Sequence, residues 1–123
     1  MRKTTYKEFN RYTCDTKKIF KTYYYFSTEE GYEYQKEGIK FYIRKDDDDE
    51  WNISVELGFR VHRCNSYKEV IDFFESLDIQ NILLPAMKKG KEFIKSHRNE
   101  IVDEEVVLRF KEEIEEIKAY AKI

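Results

Sequence analysis

From Trp51 to Val61 two residue classes alternate without a miss. Trp51, Ile53, Val55, Leu57, Phe59 and Val61 fall on one side, and Asn52, Ser54, Glu56, Gly58, Arg60 and His62 on the other. A helix would scatter those six apolar groups around its axis, so the run reads as one long β-strand with a buried face, and Gly58 as a bulge or bend within it. Such a strand needs partners. Ile39, Phe41 and Ile43 alternate with Lys40, Tyr42 and Arg44 in a second half-buried strand. The segment KKIFKTYYYF, Lys17 to Phe26, is rich in β-branched and aromatic residues and supplies a third. Gly31 and Gly38 are the expected turn positions between them. In the first fifteen residues Tyr6, Phe9 and Tyr12 recur at three-residue spacing, which fits a short helix and an extended arm equally.

After the strands the period changes. Ser66 followed by Glu69 forms a capping box, and Val70, Ile71, Phe73, Phe74 and Leu77 give the helix an apolar face. Pro85 has no amide donor and restricts Leu84, so a new helix is expected from there to about His97, with Met87, Phe93 and Ile94 inward. Asp103 caps the last helix, whose Glu104 and Glu105 at the start and Lys118 and Lys122 at the end suit its dipole. This order predicts a single α+β domain over residues 1–123: an antiparallel β-meander of about three strands, followed by C-terminal helices packed on one sheet face. The Trp51–Val61 face is expected to share one core with Val70, Phe74 and the last helix's stripe of Val107, Phe110, Ile114, Ile117 and Ala121. That stripe covers about two heptads, so it either packs on the sheet or forms a homodimer seam.

The formal net charge is −2, so any electrostatic role must come from how the charges are segregated. Residues 1–25 hold seven cations against two acids, and residues 29–56 hold ten acids against four cations. Residues 88–98 are basic again, with Lys88, Lys89, Lys91, Lys95 and Arg98 against a single acid, and residues 99–116 are acidic. No apolar run is long enough to cross a bilayer and the first residues lack a hydrophobic leader, which predicts a cytoplasmic protein with no membrane partner. Cys14 and Cys64 alone do not make a disulfide framework. Residues with AT-rich codons (Lys, Ile, Tyr, Phe, Asn, Met) far outnumber Gly, Ala, Arg and Pro, a bias common in low-GC bacteria and their phages.

The most unusual segment is IKFYIRKDDDDEW. An EF-hand loop counted from Asp46 would need glycine at its sixth position and a carboxylate at its twelfth, where Trp51 and Leu57 stand. Neither GxxxxGK[ST] nor GxGxxG occurs, so no metal or cofactor is expected. Two readings compete. A charged hairpin tip would stay in water and discourage edge-to-edge strand pairing. Alternatively Asp46, Asp47, Asp48, Asp49 and Glu50 imitate a phosphate backbone and enter a basic groove on a partner.

Other constellations are thinner. Cys14, His62, Cys64 and His97 show no CxxC or HxxxH spacing, and Cys64 near His62 lacks a third, orienting group. With no acid–base pair standing out, the chain is not read as an enzyme. Tyr24 within the Tyr23–Phe26 run, with Lys17, Lys18 and Lys21 beside it and Lys88, Lys89, Lys91 and Lys95 on the basic helix, could stack bases and follow a backbone, although alternation turns half the run inward. The expectation is a non-enzymatic binding module that covers part of a host protein or nucleoprotein complex. Phage and mobile-element inhibitors of host defence, anti-CRISPRs among them, are of this type. A single-stranded or duplex nucleic-acid binder is the alternative, and an enzyme of unrecognised type the second.

Overall fold

A computed structural model describes residues 1–121. Two expectations, Ala121 as the last member of the apolar stripe and Lys122 as a charge at the helix end, lie outside the side chains it describes. The chain opens on a strand. β1, Arg2–Asp15, pairs antiparallel along its whole length with β2, Phe20–Lys36. Thr16 makes the reversal, its amide donating to the Ile19 carbonyl at 2.8 Å and its hydroxyl accepting from the Ile19 amide at 2.9 Å. Lys17 and Lys18 therefore sit in a turn rather than in a strand. Gly31 is not a turn residue either. It lies inside β2 where a side chain would meet the Ile43 carbonyl at 2.6 Å, and only Gly38, with φ +78°, reverses the chain into β3, Ile39–Lys45.

The Trp51–Val61 run is two strands, β4 (Trp51–Val55) and β5 (Arg60–Cys64). Hydrogen bonds from the Val55 amide to the Phe59 carbonyl (2.9 Å) and from the Gly58 amide to the Val55 carbonyl (2.8 Å) close a hairpin between them. Gly58 has φ +80°, a conformation that favours glycine and that here reverses the chain instead of bulging it. With β6 (Ile101–Val102) added in parallel to β2, the sheet runs β1-β2-β3-β4-β5 with β6 off its side, which corrects the expected count of about three strands.

The hydrophobic core lies on one face of β3, β4 and β5. Phe41, Ile43, Ile53, Val55 and Cys64 pack under Val70 and Phe74 of α1 (Tyr67–Ser76) and under Ile79 and Leu83 of the π-helical turn that follows. The capping pair forms as expected: Ser66 Oγ accepts from the Glu69 amide at 3.2 Å, while the Glu69 carboxylate accepts from the Asn65 amide at 2.8 Å. Pro85 stands in the first turn of α2, Leu84–Ser96.

The last helix, α3 (Glu104–Ala121), does not join that core. β1 and β2 are far longer than β3, so half of their ribbon projects beyond the sheet and must be covered separately. Alternate residues of β2 then meet different helices. Phe93 of α2 packs edge-on to Tyr24 at 5.6 Å, and Phe110 of α3 packs edge-on to Tyr23 at 5.3 Å. α1 and α2 thus share one face and α3 occupies the other, where the expectation had all helices on one. The sheet also curls, until the Phe9 amide of β1 donates to the Gly58 carbonyl of the last hairpin at 2.9 Å.

Candidate functional site

The acidic run is a folded turn. The Asp46 amide donates to the Glu50 carbonyl at 2.8 Å, and Asp49 adopts φ +61°. Asp46 turns its side chain inward: Oδ1 accepts from the amides of Asp48 (2.9 Å) and Glu50 (3.0 Å), and Oδ2 from Asn52 Nδ2 (2.7 Å). Desolvation pushes the Asp46 carboxyl upward, but the hydrogen bonds from Asn52, Glu50 and Asp48 outweigh it and hold the group below the usual carboxylate value. Glu50 is half-buried and pairs with Arg63 at 3.2 Å. Asp47, Asp48 and Asp49 are exposed, with Lys45 3.7 Å from Asp49. Beside the turn runs an open trough of about 640 Å³ in which Glu29 and Glu30 of β2 join Asp46, Asp47 and Asp48, with Arg44 and Lys45 of β3 among its walls. The five acids singled out from the sequence therefore divide by role: Asp46 and Glu50 build the turn, and the other three are displayed by it.

A second charged constellation was not legible in the sequence. Glu8 of β1 is fully buried. It accepts from Arg44 Nε and Nη2 at 2.9 Å each, from Arg60 Nη2 at 3.2 Å and from the Tyr6 hydroxyl at 3.1 Å. Burial alone would raise its pKa, but hydrogen bonds and charge from Arg44, then from Arg60, hold it below the usual value. Burial, and next the Glu8 charge, push the Tyr6 hydroxyl well above the ordinary tyrosine range. These four residues come from β1, β3 and β5 and meet only because the sheet curls. The period-two position of Glu8 between Tyr6 and Asn10 was the one available signal, and it is visible only once residues 2–15 are known to be a strand.

The residues of the nucleic-acid alternative are spread over the molecule. Lys17 and Lys18 are exposed in the β1–β2 turn, while Lys21 Nζ lies 5.0 Å above the Tyr23 ring on the α3 side. Tyr24 is half-buried on the α2 side, 4.9 Å from the His97 ring. Lys88, Lys89, Lys91 and Lys95 are all exposed along α2. Both cysteines are buried free thiols, and burial, then the charge of Glu69, raise the pKa of Cys64. His62 stacks on Phe73 at 4.6 Å and His97 on Phe93 at 4.0 Å. Among the described residues no three His, Cys, Asp or Glu side chains converge on a common point, and no helix is long and apolar enough to cross a membrane.

No protein-family model matches the chain, and neither a curated protein nor a solved structure matches it. The functional reading rests on the residues themselves.

Proposed function

We propose that this protein is a non-enzymatic binding module whose acidic hairpin enters a cationic groove on a larger protein or nucleoprotein, occupying the place of a nucleic-acid backbone and so inhibiting it. The observation that carries this reading is the division of labour in the turn. Asp46 is tied by three hydrogen bonds, so Asp47, Asp48 and Asp49 are held out on a preorganised loop, with Asp47 and Asp48 in the trough that Glu29 and Glu30 also line. A loop already ordered loses less entropy on binding than a flexible acidic tail would. Clustered carboxylates also steer association with a basic surface, in a salt-dependent way. The codon bias of the composition is consistent with a phage or mobile-element accessory protein acting on a host target.

The test is a triple variant, Asp47→Asn, Asp48→Asn and Asp49→Asn, which leaves Asp46 in place. Wild-type protein used as bait in host lysate should retain a protein partner after nuclease treatment, lose it as salt rises, and block that partner's binding to nucleic acid. The triple variant should lose the partner at salt concentrations where wild type keeps it. Equal retention by both would refute the reading. Capture that disappears with nuclease would favour direct nucleic-acid binding through the four exposed lysines of α2.

A further inference from the structure

A cleft of about 360 Å³ opens at the edge of β1, on the side away from α3, between β1, the β4–β5 turn and α2. Its walls are Phe9, Arg11, Tyr24, Phe59, Arg60 and Phe93, and Asn10 completes the lining. Four of these are aromatic, two are arginines, and no carboxylate is among them. We propose that this cleft binds a nucleotide-sized ligand, an aromatic ring carrying a phosphate, independently of the acidic hairpin.

The walls are held by contacts that do not depend on a ligand. The Phe9 amide is bonded to the Gly58 carbonyl, which sets Phe59 and Arg60 beside β1. Gly90 of α2 sits directly on the Phe59 ring, where even a Cβ would come within 2.8 Å. Phe93, one turn on, meets Phe9 edge-on at 6.1 Å and Tyr24 at 5.6 Å. Rings assembled this tightly would be expected to close over one another, yet Phe93 keeps 38% of its surface exposed and Phe9, Tyr24 and Phe59 stay half-buried. The size lies within the range of small-molecule sites, and aromatic rings here alternate with the polar groups of Asn10, Arg11 and Arg60 in an open, mixed lining.

The charge decides the ligand class. Glu8, the nearest buried acid, is already saturated by Arg44, Arg60 and Tyr6. Arg60 commits Nη2 to that carboxylate, its Nε is buried without a hydrogen-bond partner, and the residue contributes to the cleft lining. Arg11 is exposed and, among the described residues, forms no ion pair. The free Arg11 guanidinium, with the charge of Arg60 beside it, matches phosphate oxygens in geometry and charge, while a heteroaromatic ring stacks on tyrosine and phenylalanine faces. The ligand can be a free mononucleotide or the phosphorylated end of a strand, since both present the same groups.

Calorimetric titration with AMP, adenosine, inorganic phosphate and a 5′-phosphorylated octaadenylate separates these sources. AMP should bind at one site, with adenosine and phosphate each at least about tenfold weaker because each satisfies only one half of the cleft. Arg11→Gln should weaken AMP by about tenfold while the circular dichroism spectrum stays that of the wild type. Amide resonances of Phe59, Arg60 and Phe93 should shift on titration. An octaadenylate that binds more tightly than AMP identifies a strand end as the source, and one that binds more weakly a free nucleotide. Absence of saturable AMP binding at millimolar concentration, or unchanged affinity in Arg11→Gln, would overturn the proposal.

Discussion

Arg44 grips Glu8 with two hydrogen bonds of 2.9 Å, Nε to Oε2 and Nη2 to Oε1, although β2 lies between their strands. Gly31 makes the reach possible. A Cβ on Gly31 would fall 3.1 Å from that of Arg44 and 2.6 Å from the Ile43 carbonyl. Removing the acid leaves two guanidinium groups facing each other in a largely dehydrated site. Glu8→Ala should therefore cost about 3–5 kcal/mol, read as a lower urea midpoint. Replacing Glu8, Arg44 and Arg60 together by Leu, Met and Met should cost much less than that single change, because no unpaired charge then remains.

The same pair sets a pH profile. Glu8 titrates lower in the folded chain than its ordinary 4.5, so its contribution is complete above that value and is lost as pH falls through the folded pKa. Tyr6 titrates higher when folded than its ordinary 10.0, so its contribution is complete below that value and is lost as pH rises beyond it. Urea midpoints should form a plateau between these limits. Glu8→Gln should flatten the acid limb, and Tyr6→Phe the alkaline one.

Gly58 closes the curl. A side chain there would meet the Lys7 carbonyl at 2.5 Å and would have to adopt φ +80°. Gly58→Ala should cost about 1–3 kcal/mol. Hydrogen exchange should show the reason, with the Phe9 amide losing protection before the amides of β3 and β4 do.

Within the acidic turn the four aspartates should respond differently. Asp46→Ala removes an acceptor that three donors share, as a lost helix cap does, and should lower stability by about 1–2 kcal/mol. Changing Asp47, Asp48 and Asp49 to Asn should leave the midpoint within about 0.5 kcal/mol of wild type. Equal effects from the two variants would show that Asp46 does not organise the turn.

On α3, Ile114 is 5% exposed and Ile117 56% exposed. Ile114→Glu should unfold the region by burying a charge, whereas Ile117→Glu should leave a folded chain. Light scattering on the Ile117→Glu variant checks the seam: a drop from dimer to monomer would place a second copy on that face.

Local periodicity was enough to show that Ile39–Ile43 is strand, that both ends of the Trp51–Val61 run are strand, and that Tyr67–Ser76 is helix. Side-chain period and capping chemistry are properties of neighbouring residues, and Ser66 with Glu69 formed the pair their spacing implies. Locally, too, the alternation in Tyr23–Phe26 separated two faces, and the structure adds that each face has its own helix. The break at Gly58 was not legible, because apolar residues of both arms still touch the core, although the register shift in the hairpin puts His62 and Cys64 on the face of Ile53 and Trp51 and leaves Leu57 exposed. β1 was hidden for a different reason. Its inward positions carry Tyr6 and Glu8 rather than aliphatic residues, and a carboxylate becomes an interior residue only after Arg44 and Arg60 have been brought to it from β3 and β5. Which of the aspartates would be displayed likewise depended on Asn52, across the hairpin, choosing Asp46 as its partner. Those contacts join residues far apart in the chain, or on opposite arms of a turn, and the curl of the sheet with the register of its hairpins is what brings them together.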